Sequence, residues 1–244
     1  MDGDFAREAG TEFKAVLEIG GRTILGRTIS ALRGLPQVRR IAVIGPSEVL
    51  SHPDCAAADL RIEEGATGPE NIYKGVDALA PGASATARMF IVTTDLPFLD
   101  SGVLARYLDL CPAGLDFTVP LIERGEWEEE FPGAEATFVK LRDGCFTTGC
   151  AFVATFDGLR SARVHIERVF KTRKSTFATA KLLGPVFVAK WLAKRLTVAD
   201  VERKVRELLH CRAGAIAGSP PQLAYDVDYL HDFQDAKRRI EAAG

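Results

Sequence analysis

Short apolar stretches alternate with longer amphipathic segments through the first half of the chain. Stretches rich in β-branched and aromatic residues predict strands at residues 40–45, 88–93, 116–121, 137–141 and 151–155. Helical spacing of apolar residues predicts helices at residues 23–32, 70–79 and about 100–110. Strands that alternate with helices predict an α/β fold, with a three-layer arrangement in which a mostly parallel sheet is covered on both faces.

The second half of the chain has a different pattern. Residues 164–209 have helical spacing almost throughout, and a last helix is predicted from about 230 to 243. We interpret residues 1–244 as a single domain with a helical insertion at about 160–210. The apolar side chains of segment 172–195 are expected to pack against the domain or over its active site. They are Phe177, Leu182, Leu183, Val186, Phe187, Trp191 and Leu192.

Composition narrows the classes of function. The net charge of the 244 residues is −2, with 31 basic and 33 acidic residues, which does not favour a nucleic-acid partner. The five cysteines are scattered and form no C-x-x-C pair, which indicates free thiols in a reducing compartment. Residues 1–4 are acidic and no secretory signal follows them, so we expect a cytoplasmic location.

Asp95 follows the most apolar predicted strand, in the sequence Thr-Thr-Asp-Leu-Pro. Ligands of open parallel sheets bind beyond the carboxyl ends of the strands, where an aspartate can hold Mg²⁺. An Asx-turn before Pro97 explains the same residue without a ligand. The residue pattern leaves both interpretations open.

A second acidic pair, Asp226 and Asp228, precedes the last predicted helix. If this segment is extended, the two carboxylates point to the same side, because side chains alternate along a strand. They could then face Asp95. The alternative is a solvated turn in which Asp228 caps the helix.

Three other features could bind phosphate or a nucleotide base. Lys14 lies ahead of Gly20-Gly21 and could neutralise phosphate oxygens, although a single lysine is often only a surface charge. The loop 64–71 enters a helix, whose free N–H groups favour an anion or a base edge. Arg173 and Lys174 could clamp a phosphate, or could simply be solvated.

Taken in order, these segments resemble the MobA-like NTP transferases, which share the nucleotide-diphospho-sugar transferase fold. Residues 14–25 resemble the family's Lys-x-x-Leu-x-x-x-Gly-x-x-x-Leu signature, and residues 94–99 resemble its metal-binding aspartate segment. Residues 226–233 resemble the closing segment that carries a second metal ligand. The resemblance covers residues 5–240 and implies a Rossmann-like α/β sheet.

The resemblance also implies an activity and the residues that carry it. It implies transfer of a nucleoside monophosphate from an NTP to a small phosphorylated acceptor, with release of pyrophosphate. Asp95 and Asp228 would hold Mg²⁺, and Lys14 would act with Asp95 in catalysis. The remaining roles are nucleotide binding by Gly65, Gly68 and Asn71, and acceptor binding by Arg173 and Lys174.

The chain also departs from the family pattern. Family members open with a strand and a Leu-Ala-Gly-Gly-type loop, and the resemblance places that strand in the middle of the sheet. We therefore expect a coding start upstream of Met1. Thr23 replaces a common proline, and Cys150 replaces a common asparagine.

These departures keep other functions open. One is a catalytically inactive protein that binds a nucleotide or sugar phosphate. Another is a module that binds a membrane or a protein partner through segment 171–195. The balanced charge of the whole chain makes this second function the less favoured one. The NTP, the acceptor and the oligomeric state, a homodimer included, are left open.

Overall fold

The computed structural model describes residues 3–84, 87–172 and 175–243. These residues form ten strands and eleven helices. The strands are β1 Glu18–Ile19, β2 Arg22–Thr23, β3 Ala42–Gly45, β4 Leu60–Glu63, β5 Arg88–Val92, β6 Phe117–Glu123, β7 Val139–Leu141, β8 Gly144–Thr148, β9 Ala151–Thr155 and β10 Ala213–Ala217. The helices are α1 Gly3–Ala9, α2 Ile24–Arg33, α3 Ser47–Leu50, α4 Gly68–Leu79, α5 Ser101–Leu110, α6 Arg124–Glu130, α7 Phe156–Thr172, α8 Thr176–Leu183, α9 Pro185–Leu192, α10 Val198–Leu209 and α11 Leu230–Ala243.

The main sheet has six strands in which β5, β9 and β6 lie side by side. β9 is antiparallel to both neighbours, so β5 and β6 run in the same direction. β10 pairs with β6 in parallel, while β8 pairs with β6 antiparallel near its end. Helices α2 and α5 pack against each other, as do α4 and α7. The predicted α/β fold is confirmed, with β8 and β9 as antiparallel members of a mixed sheet.

The predicted elements agree with the structure where their apolar patterns are long. Helix α5 begins after Asp100, whose carboxylate accepts a hydrogen bond from the N–H of Val103 at 2.7 Å. Thr23 caps α2 by accepting from the N–H of Gly26 at 2.9 Å. Strands β1, β2, β4, β8 and β10 were not predicted. Residues 60–63 place polar side chains between apolar ones in a segment too short to show a clear period.

β3 and β5 belong to two separate sheets. Within the described part of the chain, β3 pairs with β4 alone, as a separate two-stranded sheet. The carbonyls of Ile41 and Gly45 accept hydrogen bonds from the β4 side, so the backbone groups of Ala42 and Ile44 point away from it. A cavity of about 420 Å³ separates the starts of the two strands. A further strand at this position of the sheet stays a prediction.

The helical insertion contains α7, α8, α9 and α10, and part of its expected packing is wrong. Val186, Trp191 and Leu192 are 71%, 58% and 69% exposed instead of packed against the domain. Leu182 and Leu183 are partly buried. The side chain of Phe177 lies outside the described residues.

Candidate metal and phosphate site

Asp95 lies in the turn that follows β5, and buried neighbours fix its position. Leu96 is fully buried and Leu99 is 4% exposed, so the chain is anchored on the core directly after Asp95. The N–H of Thr93 donates to the carbonyl of Cys150 at 3.2 Å, which continues the pairing of β5 with β9 to the edge of the sheet. Asp95 is therefore held at the carboxyl end of β5, as its sequence position predicted.

The segment that carries Asp226 and Asp228 is pinned across the ends of β5 and β9. The N–H of Cys150 donates to the carbonyl of Leu223 at 2.7 Å, and the N–H of Val227 donates to the carbonyl of Asp95 at 3.0 Å. These two hydrogen bonds tie the segment to both strands.

Gly149 permits the first of these approaches. A Cβ atom at this position would lie 2.6 Å from the carbonyl oxygen of Leu223, closer than a side chain tolerates. Glycine is therefore required where the turn after β8 meets segment 223–228.

Side chains alternate along residues 225–228. Tyr225 and Val227 are buried at 4% and 0% exposure, whereas Asp226 is partly buried and Asp228 is exposed. The alternation agrees with the extended segment, one of the two interpretations that the sequence left open, in which the two carboxylates share one side. The ring of Tyr225 packs edge-on against Phe98, with 4.7 Å between ring centroids.

Three carboxylates converge at this edge. Oxygen atoms of Asp95, Asp226 and Asp228 all lie within 4.8 Å of one another. The pKa of Asp226 is raised to about 6, mainly by burial and to a smaller extent by repulsion from Asp228 and Asp95. The Oδ1 atom of Asp95 is buried and has no hydrogen-bond partner in the described part of the chain. Such a carboxylate oxygen, next to two further carboxylates, is a donor set suited to a hard divalent cation.

Lys14 is brought to the same cluster from the start of the chain. It lies in a 3₁₀ turn, Lys14–Val16, which is followed by the fully buried Leu17 and Ile19. Its Nζ atom forms an ion pair with Asp228, although 214 positions separate the two residues in the sequence. The structure thus joins a cation to the three carboxylates.

The loop that enters α4 is closed by its own side chains. The Oδ1 atom of Asn71 accepts from the N–H of Gly65 at 2.6 Å, and Glu70 accepts from the N–H of Ala66 at 2.9 Å. Asn71 therefore shapes the loop with its oxygen. A Cβ atom at Gly68 would lie 3.8 Å from the ring of Phe170, so the start of α4 adjoins the end of α7.

The importance of two residues, Asp226 and Cys150, was underestimated from the sequence. Asp226 was noted only as half of an acidic pair, yet it belongs to the cluster. Its signal was the alternation of Tyr225 and Val227 around it. Cys150 borders the cluster. The pKa of its thiol is raised to about 12, mainly by burial and to a smaller extent by the negative charges of Asp226 and Asp95. Arg173 and Lys174 lie outside the described residues.

The sheet flanked by helices, with a carboxylate cluster beyond its strand ends, has the nucleotide-diphospho-sugar transferase type of fold, as its match to solved structures shows. A hypothetical transferase from Thermus thermophilus superposes with a TM-score of 0.81 at 25% identity, over 94% of each chain. A 4-diphosphocytidyl-2C-methyl-D-erythritol synthase superposes with a TM-score of 0.58 at 16% identity, over 93% of this chain and 94% of that one. The second likeness shows the fold alone.

Sequence comparison then gives the family. The MobA-like NTP transferase domain matches residues 3–216, so the chain belongs to that family of nucleotidyltransferases. The bifunctional enzyme IspD/IspF of Solidesulfovibrio magneticus is 23% identical over 248 aligned positions, which cover 95% of this chain. The chain spans 58% of the length of that relative.

Proposed function

We propose that the protein is a Mg²⁺-dependent nucleotidyltransferase whose acceptor is a small phosphorylated molecule. An oxygen of the acceptor phosphate attacks the α-phosphorus of an NTP and forms a new P–O bond. The bond from the α-phosphorus to the bridging oxygen breaks, and pyrophosphate leaves with that electron pair. The observation that supports this proposal most strongly is the convergence of Asp95, Asp226 and Asp228 with Lys14.

The carboxylate cluster fits a magnesium ion. Asp95 and Asp228 would hold the ion, with Asp226 as a third oxygen donor. Burial and, after it, repulsion from Asp228 and Asp95 raise the pKa of Asp226, and a cation bound between the three carboxylates would offset both effects. Bound Mg²⁺ supplies positive charge that stabilises the phosphate oxygens of the NTP.

Lys14 contributes to the same charge balance. In the absence of nucleotide its ammonium group pairs with Asp228, and both side chains are partly open to solvent. When a triphosphate binds, the flexible side chain can transfer its hydrogen bonds to phosphate oxygens. We therefore assign Lys14 to neutralisation of charge on the NTP.

Positioning of the two substrates falls to other segments. Gly65, Gly68 and Asn71 would line the pocket for the base, because the Asn71 side chain holds the loop in shape and leaves its NH₂ group to donate. Arg173 and Lys174 would approach the acceptor phosphate.

The name of one structural relative gives the class of acceptor that we propose to test first. This name, 4-diphosphocytidyl-2C-methyl-D-erythritol synthase, describes a polyol that carries a diphosphocytidyl group. A phosphorylated polyol or sugar is the corresponding acceptor for this chain.

A panel of four NTPs, each with and without Mg²⁺, tests the proposal by thermal shift. One NTP should stabilise the wild-type protein only when Mg²⁺ is present. Asp95→Ala should lose this effect and keep the fold, because Asp95 lies at a strand end. Glu128→Gln, an exposed change on α6, is the matched control. Wild-type nucleotide affinity in Asp95→Ala would refute the ligand role.

A second assay separates an enzyme from an inactive binding protein. Release of pyrophosphate is measured with the stabilising NTP and a set of phosphorylated polyols and sugars. Binding without release across the whole set would favour the catalytically inactive alternative.

A further inference from the structure

The hairpin of α8 and α9 presents an apolar surface that none of the described residues covers. Seven of the eight residues of α9 are apolar, and the eighth is Lys190, yet none of its side chains is buried. Val186, Trp191 and Leu192 are mainly exposed. A helix that is apolar on nearly all sides is normally buried, so this hairpin is suited to contact with something outside the chain.

The charged residues in and around this hairpin are almost all basic. Between Glu167 and Asp200 the sequence contains eight basic residues and no acidic residue. Lys190 is used internally, because its Nζ atom pairs with the nearly buried Asp200 at 2.8 Å. Within the described residues, Lys181, Lys194 and Arg195 have no carboxylate within 4 Å. These three cations are therefore available to an anionic partner.

Local structure holds the apolar and basic groups together. The ion pair from Lys190 fixes α9 on α10. The N–H of Arg195 donates to the carbonyl of Lys190 at 2.8 Å, and Lys194 adopts a left-handed conformation with φ of 56° that ends the helix. Trp191 and Leu192 are thus held beside Lys194 and Arg195 at one end of the hairpin.

Charge distinguishes between the possible occupants. A second copy bound symmetrically through this face would bring two basic surfaces together, which is unfavourable. An anionic lipid surface complements both properties, since tryptophan favours the membrane interface and lysine and arginine favour anionic headgroups. Among the described residues, no helix has the length and apolar character needed to cross a bilayer.

We propose that the α8–α9 hairpin docks the protein on anionic membranes, with Trp191 and Leu192 in the interface and Lys181, Lys194 and Arg195 at the headgroups. The net charge of −2 for the whole chain does not oppose this, because membrane attraction acts within about a Debye length of the surface, roughly 8 Å at physiological salt.

Vesicles test the proposal with the full chain at physiological salt. Vesicles of phosphatidylcholine alone are compared with vesicles that also contain phosphatidylserine, by co-sedimentation and by tryptophan fluorescence. Of the two tryptophans, Trp127 is 2% exposed and Trp191 is 58% exposed, so a blue shift reports Trp191. We expect co-sedimentation and a blue shift with the anionic vesicles only.

Two matched variants test the role of charge. Each lysine or arginine near an anionic surface strengthens binding by about five-fold, so Lys194→Glu with Arg195→Glu should weaken partitioning by at least about 25-fold. Arg106→Glu with Lys237→Glu makes the same change of net charge at exposed positions elsewhere and should have little effect. An equal loss in both variants would show that only net charge matters and would refute the proposal.

Other outcomes would also overturn the proposal. One is the absence of binding to anionic vesicles, and another is equal binding to neutral vesicles. A third is a concentration-dependent dimer that blue-shifts Trp191 without lipid, which would make a second copy the occupant. The wild-type fluorescence result decides between these outcomes even if a variant fails to fold.

Discussion

Replacement of Asp226 by asparagine should stabilise the protein in the absence of metal, although it removes a proposed ligand. Burial and the neighbouring carboxylates raise the pKa of Asp226 from 3.8 to about 6. A difference of this size corresponds to about 3 kcal/mol, and water around the exposed part of the site reduces the expected effect to about 1–2 kcal/mol. Asparagine has a similar shape and carries no charge, so it removes the cost of burying a charge and the repulsion from the neighbouring carboxylates.

The effect should depend on pH with a defined sign. Well below pH 3.8, Asp226 is protonated in both the folded and the unfolded protein, and the destabilisation is absent. As the pH rises from about 4 to about 6, the unfolded state loses its proton first, and the wild type loses stability relative to Asp226→Asn. Above about pH 6 the full difference is present.

Thermal unfolding measured in EDTA at pH 7.5 and at pH 4.5 tests this reasoning. At pH 7.5 the Tm of Asp226→Asn should exceed that of the wild type by about 2–8 °C, and the difference should shrink at pH 4.5. Glu128→Gln is the control for loss of one negative charge. Mg²⁺ should stabilise the wild type more than the variant. An Asp226→Asn protein that is equally or less stable at pH 7.5 would refute the argument.

Three further predictions concern the surroundings of the site. Gly149→Ala should displace segment 223–228, because the new Cβ atom would lie 2.6 Å from the carbonyl oxygen of Leu223. We expect a lower Tm and a weaker dependence on Mg²⁺, and an unchanged protein would contradict this. In the folded protein Cys150 should react slowly with iodoacetamide at pH 8, since burial raises the pKa of its thiol to about 12 and keeps it protonated. Rapid alkylation that peptide mapping assigns to Cys150 would contradict this. A short apolar strand with a Gly-Gly loop fused ahead of Met1 should raise the Tm. The backbone groups of Ala42 and Ile44 point away from β4 and could pair with such a strand, at about 1 kcal/mol per hydrogen bond, whereas a polar strand of equal length should have no such effect.

The sequence was informative where a local rule controls the structure. Asp100 at the start of α5 follows from helix capping and agrees with the structure. Strand periodicity offered the alternation at residues 225–228 as one of two interpretations, and the structure has that alternation. The resemblance to the MobA-like NTP transferases was confirmed by the family match to residues 3–216.

Long-range and context-dependent features could not be predicted in this way. No local pattern shows that Lys14 meets Asp228, because the pairing depends on how distant segments meet at the sheet edge. The exposure of Trp191 was also missed, because an apolar pattern indicates a need for burial and does not identify what covers it. Strand β10 was missed because its small residues resemble those of a helix or a loop.

Binding of Mn²⁺ as a stand-in for Mg²⁺ tests the carboxylate cluster most directly. Free Mn²⁺ is measured by its electron paramagnetic resonance signal in solutions of protein and the stabilising NTP. The wild-type protein should bind Mn²⁺ in a nucleotide-dependent manner, and Asp95→Ala with Asp228→Ala should lose this binding while Glu128→Gln retains it. Equal Mn²⁺ binding by the wild type and the double variant would contradict the assignment of the metal site to Asp95, Asp226 and Asp228.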